Sequence, residues 1–164
     1  MAKTVLRNMI ADYLDVGTTT TPEWALMGPG FNSLDENPQA QVDTKAYISD
    51  KSATSTIKGY QTQFPFDTDL IEDEKAVTAL YGIGRNQKQG ADAELDYVRV
   101  ELFKGATAST SYPARKFRVA VEVSNVQGAG AEVIKVTGNL NSVGDFVDGT
   151  FDIKTKTFTA TTEG

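Results

Sequence analysis

One stretch of alternating side chains, between residues 115 and 124, constrains the fold of this chain more than any other feature of the sequence. Apolar residues at every second position alternate there with polar ones, Phe117, Val119, Val121 and Val123 against Lys116, Arg118, Glu122 and Ser124. Successive side chains of a β-strand point to opposite faces of its sheet, so a period of two identifies a strand with one buried face. The stretch therefore predicts a half-buried antiparallel strand.

A second strand is predicted over residues 94–103, where Val98, Val100 and Leu102 share one face. The opposite face mixes Arg99 and Glu101 with aromatic residues. Because this face is both polar and aromatic, we expect it to contact another subunit.

Turn residues divide most of the remaining sequence into further short strands. Gly and Pro clusters end strands because they supply positive φ angles or remove a backbone donor. Strands are predicted over 10–16, 24–27, 31–34, 41–48, 56–66, 133–140 and 147–153, the first two forming a hairpin and the last continuing a meander from 133–140.

One segment has helical instead of strand periodicity. Residues 72–84 place Val77, Leu80 and Tyr81 at helical spacing, with Asp69 as the expected N-cap and Gly84 as the expected terminator. The predicted fold is therefore mainly β, an antiparallel β-sandwich or barrel with one short flanking α-helix and extended loops and arms. A length of 164 residues fits a single domain, 1–164.

Composition excludes several functional classes. The chain contains no cysteine and no histidine, which removes disulfides, Cys/His zinc sites and histidine-dependent catalysis. We expect no enzyme activity, cofactor or metal. A net charge of −6 argues against binding to a nucleic-acid backbone, and the sequence lacks an apolar run long enough for a membrane helix. Residence in the cytosol is the default expectation.

Two groups of residues leave other functions open. A carboxylate cluster could serve glycoside hydrolysis or calcium binding, although helix capping and solvation explain it better. A row of aromatic residues could form the platform of a carbohydrate-binding β-sandwich module, although core or interface positions are the more usual role. The cluster comprises Asp67, Asp69, Glu72, Asp73 and Glu74, and the aromatic residues are Trp24, Tyr47, Tyr60, Tyr97 and Tyr112.

The order and spacing of several loose motifs resemble the major tail tube proteins of long-tailed phages or prophages. The resemblance covers nearly the whole chain, although each motif consists only of turn residues and strand apolars. It departs from the family in a longer connection over 152–156. The motifs lie at 12–17, 22–28, 30–34, 37–39, 45–48, 53–56, 59–60, 138–140, 144–152 and 156–158.

The resemblance implies a structural virion protein of the phage tail. Six copies would close a ring, and rings would stack into a hollow tube that conducts DNA into the host. It implies tape measure, tail terminator and distal tail proteins as partners, assembly in the host cytoplasm, and no membrane association. The inner tube of a contractile injection system or a tail-like bacteriocin is the close alternative.

The same resemblance points to two sets of residues. A long polar loop at 49–55 would contact the adjacent ring, through Asp50, Lys51, Ser52, Ala53 and Thr54, while a carboxy-terminal arm would run over 154–164. Acids facing the lumen would repel DNA phosphates and keep DNA from adhering during transit. The candidates for these acids are Glu94, Asp96, Glu101 and Glu122.

Overall fold

The computed structural model describes residues 3–18, 20–106 and 110–161, and it is built mainly of antiparallel strands. Thr19, between the first two predicted strands, and the last three residues of the predicted carboxy-terminal arm lie outside this part of the chain. The strands are β1 (Ile10–Asp15), β2 (Trp24–Leu26), β3 (Phe31–Leu34), β4 (Ala40–Lys45), β5 (Thr54–Tyr60), β6 (Gln63–Asp69), β7 (Glu94–Glu101), β8 (Ser111–Gln127), β9 (Lys135–Ser142), β10 (Val147–Asp152) and β11 (Thr157–Ala160); the helix is α1 (Lys75–Arg85).

The main sheet has nine strands, and its central path runs β2-β1-β7-β8-β9-β6-β3. The 17-residue strand β8 organises this sheet. Its first part pairs with β10, its middle with β7 and its later part with β9, while β11 pairs with β10. One long strand thus joins two groups of partners in an open sheet that does not close into a barrel, which confirms the mainly β, sandwich-like fold.

Helix α1 covers one face of the sheet, and the larger core lies between the helix and this face. Phe64, Tyr97 and Phe117 pack together beneath it, with the Phe64 and Tyr97 ring centroids 4.8 Å apart. The helix contributes Leu80 and Ile83 to this cluster. Gly84 allows the close approach, because a Cβ there would lie 2.8 Å from the Val123 side chain. The predicted apolar face of β8 is confirmed as part of this core.

A smaller core lies on the opposite face, near the amino-terminal half of β8. Phe151 of β10 is fully buried there, and its ring centroid lies 4.5 Å from that of Tyr13. Val98 and Val100 of β7 are also fully buried in this cluster. The middle of β1 and the second half of β7 are therefore covered on both faces, which explains the buried runs 12–14 and 97–100.

The predicted helix is present but begins and ends at other residues. Asp69 is the last residue of β6 and does not cap the helix; the N-cap is Glu74. Gly84 lies inside the last turn, and the positive φ angle after the helix belongs to Gln87. The acidic residues before α1 therefore occupy a turn, and packing against β8 requires the glycine that the sequence suggested as a terminator.

Three strand predictions need correction. The single strand predicted over 56–66 is two strands, β5 and β6, separated by Gln61 and Thr62. Strand β10 pairs with β8 and not with β9, so 133–153 is not a simple meander. The mixed face of β7 is internal at Tyr97 and Arg99, which are 0% and 6% exposed, so these two residues do not contact another subunit.

Strands β4 and β5 form a separate two-stranded sheet that projects from the main sheet. Every residue of this hairpin is exposed except Gly59, which is partly exposed. Part of the predicted carboxy-terminal arm, residues 157–160, forms β11 and pairs with β10. In the turn before it, Asp152 accepts hydrogen bonds from the backbone N–H groups of Lys154 and Thr155.

Candidate functional site: an open sheet face and a projecting hairpin

The smaller core leaves part of one sheet face uncovered, on the side opposite α1. This part presents only polar or small side chains and one proline. We call it the open face. Strand register places its side chains in neighbouring rows on β7, β8, β9 and β6, and each of them is at least partly exposed. Its members include Glu94, Asp96, Arg118, Ala120, Glu122, Ser124, Asn125, Gln127, Lys135, Thr137, Asn139, Asn141, Gln63, Pro65, Asp67 and Asp69, with Asn32 of β3 beside them.

Glu122 is the acceptor at the centre of a hydrogen-bond network on the open face. Asn141 donates to its Oε1 at 3.2 Å, and Asn139 and Ser124 donate to its Oε2 at 3.3 and 3.1 Å. Gln63 in turn donates to Asn141 at 2.8 Å. These donors stabilise the carboxylate and hold the pKa of Glu122 below its usual value, with Asn141 the largest cause.

Arg118 and Asn32 also donate to acids of the open face, whereas Lys135, the first residue of β9, forms no ion pair with a described residue. Arg118 donates to Glu94 through Nε and to Asp96 through Nη1, both at 3.3 Å. Asn32 donates to Asp69 at 3.1 Å and more distantly to Asp67. Acidic residues outnumber basic residues on the open face. Arg118 and Asn32 therefore each have a carboxylate partner on the same surface.

The projecting hairpin is amphipathic. Cross-strand pairing puts Val42 opposite Ile57 and Ala40 opposite Tyr60, and a bulge at Lys58 keeps Ile57 and Tyr60 on one face. Val42, Ile57 and Tyr60 are 53%, 50% and 65% exposed. The hairpin thus offers an apolar face that no described part of the chain covers.

The tip of the hairpin contains the predicted polar loop. Asp50 accepts a hydrogen bond from the Tyr47 backbone N–H at 2.8 Å, and its own N–H donates to the Tyr47 carbonyl at 2.9 Å. Tyr47 and Ile48 are strongly exposed beside this turn. The loop therefore ends a projecting arm and does not run along the surface of the main sheet.

A chain of ion pairs anchors the base of the hairpin to the main sheet. Arg99 lies 3.5 Å from Asp12 and 3.4 Å from Glu36, the residue at which the chain leaves β3 toward the hairpin. Arg7 pairs with Asp12 at 2.6 Å, and Arg115 with Glu36 at 2.6 Å. Asp12 is almost fully buried, so this network fixes the amino-terminal segment and the hairpin base against one buried carboxylate.

Tyr97 completes the network at Asp12, to which its hydroxyl donates a hydrogen bond. Burial, and next the neighbouring Asp12 charge, hold the pKa of Tyr97 well above its usual value, so the hydroxyl stays protonated as a donor. Side-chain alternation predicted Arg99 on a polar face of its strand. Its acidic partners, Asp12 and Glu36, are distant in the sequence, so no local pattern could predict these ion pairs.

The structure separates the residues that the sequence grouped as sites. Asp50, Lys51, Ser52, Ala53 and Thr54 are all exposed at the hairpin tip. Of the predicted lumen acids, Glu94, Asp96 and Glu122 share the open face. Alternation along β7 places Glu101 on the opposite face, where it pairs with Lys104 at 3.2 Å. No sequence pattern pointed to the amide residues around Glu122, because their positions depend on strand register.

The groups that suggested other chemistry are divided as well. Trp24 and Tyr97 are core residues, whereas Tyr47 and Tyr60 are exposed on the hairpin, so the five aromatic residues form no common platform. In the acidic cluster, Asp67 and Asp69 lie on the open face and the other acids precede α1. Within the described residues, no group of three or more acids is placed to hold a metal ion, and no helix is long and apolar enough to cross a membrane.

Comparison with known proteins gives a likeness of fold. No protein-family model and no curated protein matches the sequence. A chain in the cryo-EM structure of the anti-feeding prophage baseplate, six-fold symmetrised, aligns with a TM-score of 0.54 and 8% sequence identity. The alignment covers 90% of this chain and 97% of that chain. At this identity the match shows a shared fold, found in a component of a phage-like particle.

Proposed function

We propose that this protein is a structural subunit of a phage-tail-like particle, in which six copies close a ring and rings stack into the tail tube. The observation that carries the proposal is the projecting hairpin with its uncovered apolar face. A two-stranded hairpin alone is marginally stable in water, so a hairpin with Val42, Ile57 and Tyr60 exposed is better suited to an assembled state.

The open face supports the same proposal. A face of paired acids and amides offers little apolar surface for a partner protein, but it suits a wall along which a polyanion passes. Glu94, Asp96 and Glu122 would line the lumen, and DNA would traverse it without sequence-specific binding. Tape measure, tail terminator and distal tail proteins would be the further partners in such a tail.

In this arrangement the hairpin tip bridges to the next ring. Residues 50–54 would form the inter-ring contact, and ring closure would cover sheet edges that otherwise invite uncontrolled pairing. The likeness to a baseplate chain also supports the inner tube of a contractile particle. A sheath protein that co-assembles with the purified tube would favour that second candidate.

The direct test is assembly of the purified full chain, followed by gel filtration and negative-stain microscopy. We expect discs or hollow filaments with six-fold symmetry. Replacing residues 50–54 by a two-residue turn should leave a folded subunit, by circular dichroism, that no longer elongates. A matched deletion in the turn after β8, residues 128–131, should still elongate.

Two results would contradict the proposal. A strictly monomeric chain at high concentration, at any salt and after long incubation, would exclude the tube. Filaments of normal length from the shortened hairpin would show that its tip does not carry stacking.

A further inference from the structure

The side-chain donors at the centre of the open face are occupied by acids of the same face. Asn139, Asn141 and Ser124 donate to Glu122, and Arg118 donates to Glu94 and Asp96. Amide, hydroxyl and guanidinium groups are the donors that bind phosphate oxygens in nucleic-acid complexes. The centre of the face therefore contains donors suited to phosphate binding, but they are directed to internal acceptors.

We infer that Glu122 and the Glu94–Asp96 pair act as internal competitors of phosphate, keeping the donors of the open face from binding a polyanion. The inference deepens the proposed function, because it gives these acids a role beyond their contribution to net charge. Simple repulsion would make every exposed acid equivalent. Competition for donors gives these three acids an effect that other exposed acids lack, because each accepts hydrogen bonds that a phosphate would otherwise accept.

The geometry around Glu122 supports a local effect. Its two carboxylate oxygens together accept three hydrogen bonds at 3.1 to 3.3 Å from side chains on its own strand and on β9. Gln39 donates to Gln63 at 2.9 Å and Gln63 to Asn141, so the amides form a relay that ends at Glu122. Removal of the Glu122 carboxylate would leave the Asn139 and Asn141 amide N–H groups without their acceptor.

The test measures binding of a short fluorescent DNA duplex to the unassembled full chain at low ionic strength. We expect no detectable binding by the natural sequence. Glu122→Ala should bind at least about tenfold tighter than Glu132→Ala, because two or three freed hydrogen-bond donors each add a modest free energy of binding. Glu132 is an exposed acid in the turn between β8 and β9, so the two variants have the same net charge.

Three further variants identify the donors. Asn139→Ala with Asn141→Ala, added to Glu122→Ala, should abolish the gained affinity. Glu94→Gln with Asp96→Asn frees Arg118 and should produce salt-dependent binding, with log K falling by about 0.9 per unit of log salt for the one phosphate contacted. Adding Arg118→Gln should remove that binding. This second series tests the inference even if Glu122→Ala does not fold.

Equal affinities of Glu122→Ala and Glu132→Ala, together with no gain in the Glu94–Asp96 series, would overturn the inference and leave only net charge. That result is distinguishable from failure of the proposed function. The same variants can be examined by microscopy, where tubes that form normally would retain the structural role while donor competition is rejected.

Discussion

Strands β5 and β6 follow one another in the chain and have the same length, seven residues, yet their environments are opposite. Strand β6 alternates between buried and partly exposed positions, with Phe64, Phe66 and Thr68 facing the core. Strand β5 is exposed along nearly its whole length. The comparison separates two reasons for forming a strand, burial in a shared core and pairing in an isolated hairpin.

The free energies that stabilise β5 and β6 differ accordingly. Burying one Phe side chain contributes about 1.5–3 kcal/mol, so β6 is held mainly by the core beneath α1. The hairpin relies on cross-strand pairs such as Val42 with Ile57, each worth roughly 0.2–1 kcal/mol. Changes in the main sheet should therefore affect the free energy of unfolding, and changes in the hairpin should affect assembly.

The largest effect is expected for Asp12→Ala, which leaves Arg99 without its buried carboxylate partner. Breaking a buried ion pair from one side costs about 3–5 kcal/mol, because the remaining charge stays desolvated. Urea unfolding followed by circular dichroism measures this loss. Glu23→Ala is the control, since its pair with Lys75 is exposed and should contribute about 0–1 kcal/mol. Equal losses in both variants would show that the Asp12 network does not stabilise the main sheet.

An intermediate effect is expected for Gly84→Ala, within the helix that covers β6 and β8. The added methyl would lie 2.8 Å from Val123, and such overpacking typically costs about 1–3 kcal/mol. Gly82→Ala is the matched control in the same helix. A Cβ there meets no atom within 4 Å, so alanine should stabilise the helix by about 0.5–1 kcal/mol. Thermal unfolding of both variants gives the comparison, and destabilisation by Gly82→Ala would refute the packing argument.

The smallest effect on stability is expected in the hairpin. Val42→Thr combined with Ile57→Thr keeps residues that favour strands but removes the apolar face, and it should change the free energy of unfolding by no more than about 0.5 kcal/mol. The same variant should assemble poorly. Sedimentation of filaments measures this second property. A large loss of stability would mean that the hairpin packs against the main sheet more than its exposure indicates.

How much the sequence could predict differs between the two regions. Alternation identified β8 and its buried face, because every apolar position there has the same neighbour, the core. Residues 56–66 were predicted as one strand because β5 and β6 are both extended and only Gln61 and Thr62 separate them. Phe64 and Phe66 stand at alternate positions in β6, but no glycine or proline at 61 or 62 marked the boundary, and nothing in the sequence showed that β5 would leave the main sheet.

Helix α1 and strand β7 also show what the sequence could not predict. Acidic residues before α1 suggested a capping role for Asp69, but pairing of β6 with β9 extends the strand through that residue. Arg99 read as a surface charge because its partners, Asp12 and Glu36, are far away in the sequence. Contacts of this kind depend on which strands become neighbours.

The sequence by itself determined the class of structure, mainly β with one helix, because side-chain periodicity is a local property of the backbone. It also determined the acidic charge and the absence of cysteine and histidine chemistry. Tertiary structure decided which faces stay uncovered, how the amides gather around Glu122, and that β4 and β5 leave the main sheet as a projecting hairpin. These features follow from strand order and register, which bring together residues that are distant in the chain, such as Asp12 and Tyr97, 85 positions apart.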